Sequence, residues 1–121
     1  MRTLTGHEVN EANQLLKIEV MDEPGHGGAC HHYRVTPTDR VPPNPIEIWF
    51  QNGPIKEHGI NGLTHEALIT IVIDRLQSFQ AGPYACAANA QAIDDLMCAR
   101  EELLSRTRGR QARSVEGTSQ L

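Results

Sequence analysis

Thr64-His65-Glu66-Ala67-Leu68-Ile69-Thr70-Ile71-Val72-Ile73-Asp74-Arg75-Leu76-Gln77-Ser78-Phe79-Gln80, then Ala81-Gly82-Pro83-Tyr84, then a second arm from near Ala85 past Arg106 into a tail ending at Thr118, decides the fold. Leu68, Ile69, Val72, Ile73, Leu76 and Phe79 recur at helical spacing, and Ile71 widens the stripe. Thr64 suits the N-cap, and Glu66 in the first turn favours the helix dipole. Gly82-Pro83 ends the first helix and starts a turn. Ala90, Ile93, Leu96, Met97, Arg100, Leu103 and Leu104 form the facing stripe of the second arm. Arg100 is out of place on a purely apolar stripe. Residues 64–118 therefore read as a helical hairpin, with an apolar stripe wide enough for more than one neighbour.

Upstream, Leu16, Ile18 and Val20 alternate with polar residues, the pattern of a half-buried strand. His32–Val35 and Ile46–Phe50 read as two more strands. Residues 36–45 hold four prolines and cannot sit inside a sheet. Residues 1–13 are polar and lack periodicity. The fold class is thus α+β in a single domain, 1–121: a β-rich part over 14–50, a Gly/Asn loop over 51–63, then the hairpin. The small antiparallel sheet holds too little core to stand alone. The loop Gln51–Leu63 has three Gly, two Asn and a Pro. It reads as a connector, or as a segment whose backbone N–H groups approach a ligand.

The totals narrow the classes. The chain has 121 residues, 39% hydrophobic and 4% aromatic. So lean a core favours oligomerisation. The net charge of −4 argues against DNA or RNA as partner. Five Arg against three Glu over residues 100–121 make that end locally +2. No apolar run reaches the roughly 18 residues a membrane helix needs, and Met1–His7 lacks the apolar core of a signal peptide. A cytosolic protein with Cys30, Cys86 and Cys98 reduced is expected.

Three constellations bear on chemistry. His26, Cys30, His31, His32 and Cys86 lack the separated ligand pairs of a zinc site, so no metal is expected. His31 or His32 could serve as a base with Asp22 or Glu23 as orienter, but no nucleophile elbow, phosphate loop or paired-His motif accompanies them, and no catalysis is expected. Arg106, Arg110 and Arg113 share one helical face and could grip phosphates. Phe79 could stack on a base, and Asn89 could read a base edge or ribose. Spacing alone leaves this open against an exposed basic helix end complementing the dipole.

Gln51–Leu68, Ile71–Cys86 and Arg106-Thr107-Arg108 … Arg113-Ser114-Val115-Glu116-Gly117-Thr118 together resemble the Thoeris anti-defence 1 family of phage proteins. That family shares its hairpin domain with the anti-CBASS cyclic-nucleotide sponge. The resemblance covers roughly residues 14–118. It implies a non-enzymatic sponge, without cofactor, acting in the cytoplasm of an infected bacterium. Such a sponge sequesters cyclic ADP-ribose isomers such as glyco-cyclic ADP-ribose, and in hexameric members also cyclic di- and trinucleotides in separate pockets. It further implies a homo-oligomer, either a dimer or a hexamer built as a trimer of dimers, with the nucleotide pocket between protomers. Phe79, Asn89 and Arg106 match residues that hold the ADP-ribose ligand; the tail residues Arg113, Glu116, Gly117 and Thr118 are carried over with them. Lys56, Asn61 and Thr64 match a second nucleotide pocket. Ala87 and Ala88 stand where many relatives have Arg-Glu, which leaves the ligand preference open. Gly109 is expected to mark the bend of the tail. The rival readings are an enzyme that degrades the same signal and an adaptor that binds a defence protein.

Overall fold

The computed structural model describes residues 1–120. They divide into two compact units, Met1–Gly62 and Leu63 onward. The first is a four-stranded antiparallel meander: β1 (Arg2–Leu4), β2 (Leu16–Val20), β3 (His32–Pro37) and β4 (Ile46–Trp49), hydrogen-bonded in that order. It also holds two one-turn helices, α1 (Glu11–Gln14) and α2 (Ile55–His58). The second unit is the expected hairpin, α3 (His65–Gln80) followed by α4 (Ala87–Ala112). The α+β reading holds, but β3 runs into the proline-rich stretch: Thr36 and Pro37 pair with Lys17 and Leu16, at the end of the strand that β4 does not reach and where a missing proline N–H is tolerated.

The register sorts the sheet into two faces. Ile18 lies opposite Val35, which lies opposite Ile46; Val20 lies opposite Tyr33, which lies opposite Ile48. Val20, 1% exposed, is the most deeply buried side chain of this face. On the other face Glu19 lies opposite Arg34, Arg34 opposite Glu47 and His32 opposite Trp49. Arg34 Nε donates to Glu47 Oε1 at 2.6 Å, and His32 Nε2 lies 2.8 Å from Glu47 Oε2. The His32 ring stacks on Trp49 with centroids 3.6 Å apart. Cross-strand pairs of this kind, more than backbone preference, hold a small sheet in register.

Three of these elements fall where residues 1–13 and the 51–63 loop read as irregular. Strand β1 has three residues, too few to show a period of two, and is recruited by backbone pairing to β2. Helix α1 is capped by Asn10 Oδ1, which accepts from the Asn13 N–H at 3.1 Å. Helix α2 follows Pro54 directly.

In the hairpin, Ile73 at 2% exposure is the one buried apolar side chain among the described residues of this unit. Leu68, Ile69, Leu76, Phe79, Ile93, Leu96, Leu103 and Leu104 are half-buried along the seam. Arg100 is accommodated on the stripe by donating to Thr70 Oγ1 across the seam at 3.2 Å. Ile71, Val72 and Met97 remain 60%, 40% and 36% exposed. Gly109 does not mark the bend: α4 continues through it to Ala112, and the chain turns at Ser114, where φ is +58°. Among the described residues no helix is long and apolar enough to cross a membrane.

Hydrogen bonds from His32, and then from Arg34, hold the Glu47 carboxyl below its ordinary value of 4.5. A depressed carboxylate stabilises the fold above its unfolded value and loses that contribution as pH falls through the lower folded value. Wild-type sheet stability, read by Trp49 fluorescence in urea, should therefore drop as pH falls below 4.5. Glu47→Gln should be less stable at neutral pH and show a shallower acid loss; an acid loss equal to that of wild type would remove the triad's assigned role.

Candidate functional site

The hairpin tip gathers the first set of candidates. Phe79, on the last turn of α3, is half-buried. The Arg75 guanidinium lies 5.0 Å from its ring centroid, and Tyr84 meets it edge-on at 6.2 Å. Asn89 stands in the first turn of α4, its Nδ2 donating to the Tyr84 carbonyl at 3.3 Å. Its amide oxygen accepts no hydrogen bond among the described residues. The tip is tied to α4 by Gln80 Oε1, which accepts from the Cys86 N–H at 2.9 Å. Cys86 itself caps the helix with Sγ 3.4 Å from the Asn89 N–H. No acidic residue occupies the first turn of α4. With Ala87 and Ala88 there, the partial positive charge of a 26-residue helix is left uncompensated beside Phe79 and Asn89.

Sequence reasoning misses Arg75 and Tyr84. The i, i+4 spacing of Arg75 and Phe79 is a legible signal, because residues so placed meet on one helix face. Tyr84 carries no such signal; its position depends on the turn.

Arg106 stands far from the tip. From Asn89 to Arg106 the helix rises about 25 Å. Arg106 is exposed and makes no hydrogen bond or ion pair among the described residues. It is an exposed, unpaired cation toward the far end of the same helix.

The tail is a folded structure. Helix α4 closes with a Schellman arrangement: Val115 N–H to the Arg110 carbonyl at 3.0 Å and Ser114 N–H to the Gln111 carbonyl at 3.0 Å. Glycine usually fills the left-handed position that Ser114 takes here. The next turn brings Thr118 N–H to the Val115 carbonyl at 3.1 Å, with Gly117 at φ +82°. Gly117 thus has a conformational reason to be glycine. Arg110 is only 8% exposed, its Nε donating to Glu116 Oε2 at 2.9 Å. The three-Arg ladder that spacing left open therefore loses its middle rung: Arg110 is committed to the tail, and Glu116 is its counter-ion.

The residues matched to a second pocket fall in two places. Asn61 pairs with the Asn52 backbone in both directions, accepting from its N–H at 2.8 Å and donating to its carbonyl at 2.8 Å. Gln51 supports the same loop, donating to the Gly53 and Gly59 carbonyls and accepting from the Asn61 N–H. Gly62 is packed so that a Cβ would meet the Phe50 carbonyl carbon at 2.5 Å. Thr64 caps α3, its Oγ1 accepting from the Ala67 N–H at 3.1 Å. Lys56, on α2, is exposed.

The His/Cys loop is organised around a backbone clamp. The Asp22 carboxylate accepts from the N–H groups of His31 and His32 at 2.9 and 3.2 Å. The His31 N–H is the largest cause of its lowered pKa. Asp22 therefore orients no imidazole. Cys30 Sγ donates to the Asp22 carbonyl, and His31 Nε2 lies 3.1 Å from the His26 carbonyl. Among the described residues no three His, Cys, Asp or Glu side chains form a group that could hold a metal ion.

The family profile described as Acb2/Tad1, hairpin domain, matches residues 42–103. That span contains Lys56, Asn61, Thr64, Phe79 and Asn89 and stops short of Arg106. Thoeris anti-defense 1 of Bacillus phage SBSphiJ7 is 51% identical over 69 residues, which are 57% of this chain and 49% of that relative. The match spans about half the relative's length.

The Asn61 latch should be measurable. Asn61→Ala removes two loop hydrogen bonds and should cost the first unit about 1–2 kcal/mol. Urea unfolding followed through Trp49 reads it, and an unchanged midpoint would show the latch to be dispensable.

Proposed function

Because the chain belongs to the Acb2/Tad1 hairpin-domain family, we propose that it is a phage anti-defence protein that binds a cyclic ADP-ribose-type signal without transforming it. Glyco-cyclic ADP-ribose is the ligand of first choice, which would silence Thoeris immunity. Cyclic di- or trinucleotides of CBASS are the candidates for a second pocket at Lys56. The observation that carries the reading is the division of the recognition groups along α4. An aromatic ring, an amide oxygen and an uncompensated helix N-terminus stand at one end, with a bare guanidinium about 25 Å away. A base needs stacking and a pyrophosphate needs cations, yet no compact cyclic ADP-ribose spans that distance. One protomer therefore supplies two half-sites, and a second copy brings Arg106 to the tip of the first.

The hairpin surface supports that pairing. An open groove of about 810 Å³ between the helices is lined by Ala67, Ile71, Met97 and Leu104 with Arg100 and Glu101 beside them. Together with exposed Ile71 and Val72 it makes an apolar face suited to a second copy. A sponge must hold its ligand at nanomolar affinity, about 12 kcal/mol. Stacking, charge-assisted hydrogen bonds and enclosure between subunits can supply this.

The first test incubates the purified protein with glyco-cyclic ADP-ribose, removes free ligand by filtration, and boils the protein. Mass spectrometry of the released material should find intact ligand, near one per pocket. A cleaved product in many equivalents would make the protein an enzyme. A protein that retains nothing would point to the cyclic oligonucleotides and then to a protein target. The second test uses subunit mixing. Phe79→Ala and Arg106→Ala should each abolish retention. Co-assembled from the two variants, a mixed pair should regain one intact pocket. Failure of the mixture to regain binding would place both residues in a single protomer's site, or in none.

A further inference from the structure

Arg110 uses all three of its guanidinium nitrogens to donate to the chain that follows it. Nε donates to Glu116 Oε2 at 2.9 Å; Nη2 donates to the Val115 carbonyl at 2.9 Å and the Thr118 carbonyl at 3.0 Å; Nη1 donates to the Gln120 carbonyl. Every acceptor lies between residues 115 and 120. Arg110 is 8% exposed, and its guanidinium forms an ion pair with the Glu116 carboxylate. Carbonyls beyond a helix end have no ladder to satisfy them, so one side chain organises the whole tail. A lysine could not do this, since an ammonium has no planar fork to reach opposed acceptors. Arg106 stands one turn before Arg110, about 6 Å along the axis, so the folded tail and the bare cation occupy the same end of α4.

We propose that Arg110 is a positioning residue of the nucleotide site: it does not touch the ligand but holds the 113–118 turn, and with it Arg113 and Thr118, in the form that completes the pocket around Arg106. This rests on the proposed sponge function. Charge balance supports the division of labour. Arg110 is neutralised by Glu116 and has no open face to give to a phosphate. Arg106 has no such partner among the described residues. Two residues of the same type, four apart, thus act differently: one folds the rim and the other meets the anion.

The experiment compares the full-length wild type with Arg110→Ala and Arg110→Lys. Wild type should show amide-exchange protection at Val115 and Thr118, whose N–H groups donate to the Arg110 and Val115 carbonyls. Both variants should lose it, keep the helix content and subunit number of wild type, and bind glyco-cyclic ADP-ribose roughly tenfold or more weakly by calorimetry. Arg110→Lys matching wild-type affinity would make Arg110 a direct phosphate ligand and overturn the proposal. So would wild-type affinity with a released tail. An unprotected tail in the wild type overturns it without recourse to any variant. A wild type that binds no glyco-cyclic ADP-ribose is a separate failure, of the sponge reading itself, and takes this inference with it.

Discussion

The chain buries little of itself. Among the described residues, Val20 and Ile73 make up the buried hydrophobic core, each contributing about 1.5–3 kcal/mol. The hairpin helices touch along one seam and leave Ile71, Val72 and Met97 in solvent. The rest of the structure is shaped by that shortage. Where a larger domain would use core, this one uses side-chain hydrogen bonds to backbone: Asp22 on His31 and His32, Gln51 and Asn61 on the 51–61 loop, Arg110 on the tail. Each of these latches orders a connection that apolar packing leaves unsupported. In the proposed sponge, association with a second copy would bury the seam's outer flanks and the ligand together.

The latches also separate construction from recognition. Resemblance to the family marks Asn61, Thr64, Glu116 and Gly117 as ligand residues. In this structure each also has a definite architectural role, whether pairing a loop, capping a helix, neutralising a buried cation or turning at positive φ. Phe79, Asn89, Arg106 and Lys56 keep free capacity: a ring face, an amide oxygen or a bare cation. A ligand that gains affinity only from such groups meets a site whose geometry is already set. Preorganisation of that kind reduces the ordering cost of binding.

The hairpin is the most legible part of the sequence, because long periodic stretches with an N-cap at Thr64 and a Gly82-Pro83 stop carry redundant signals. The strands of the meander are nearly as clear from the alternation around Ile18 and from Ile46–Phe50. What escapes a sequence reading is short and context-dependent. Strand β1 exists because β2 offers it a partner, and one-turn α1 and α2 have no room for a period. At the candidate site, the spacing of Arg106, Arg110 and Arg113 correctly puts three guanidiniums near one helix end. It does not say which of them the chain itself engages.

That last ambiguity has a physical resolution that applies to any such helix end. An arginine near a helix C-terminus faces the unsatisfied carbonyls of the last turn before it faces any ligand. If the following residues can turn back and bring a carboxylate with them, intramolecular capture wins, because its partners are already at high effective concentration. Ser114-Val115-Glu116-Gly117-Thr118 has both requirements: Gly117 for the turn and Glu116 for the charge, six residues beyond Arg110. Arg106 sits one turn too early for the tail to reach and stays available. Under the proposed sponge function, the helix end that satisfies its own carbonyls would also present a cation to a phosphate, and giving one arginine to each demand meets both.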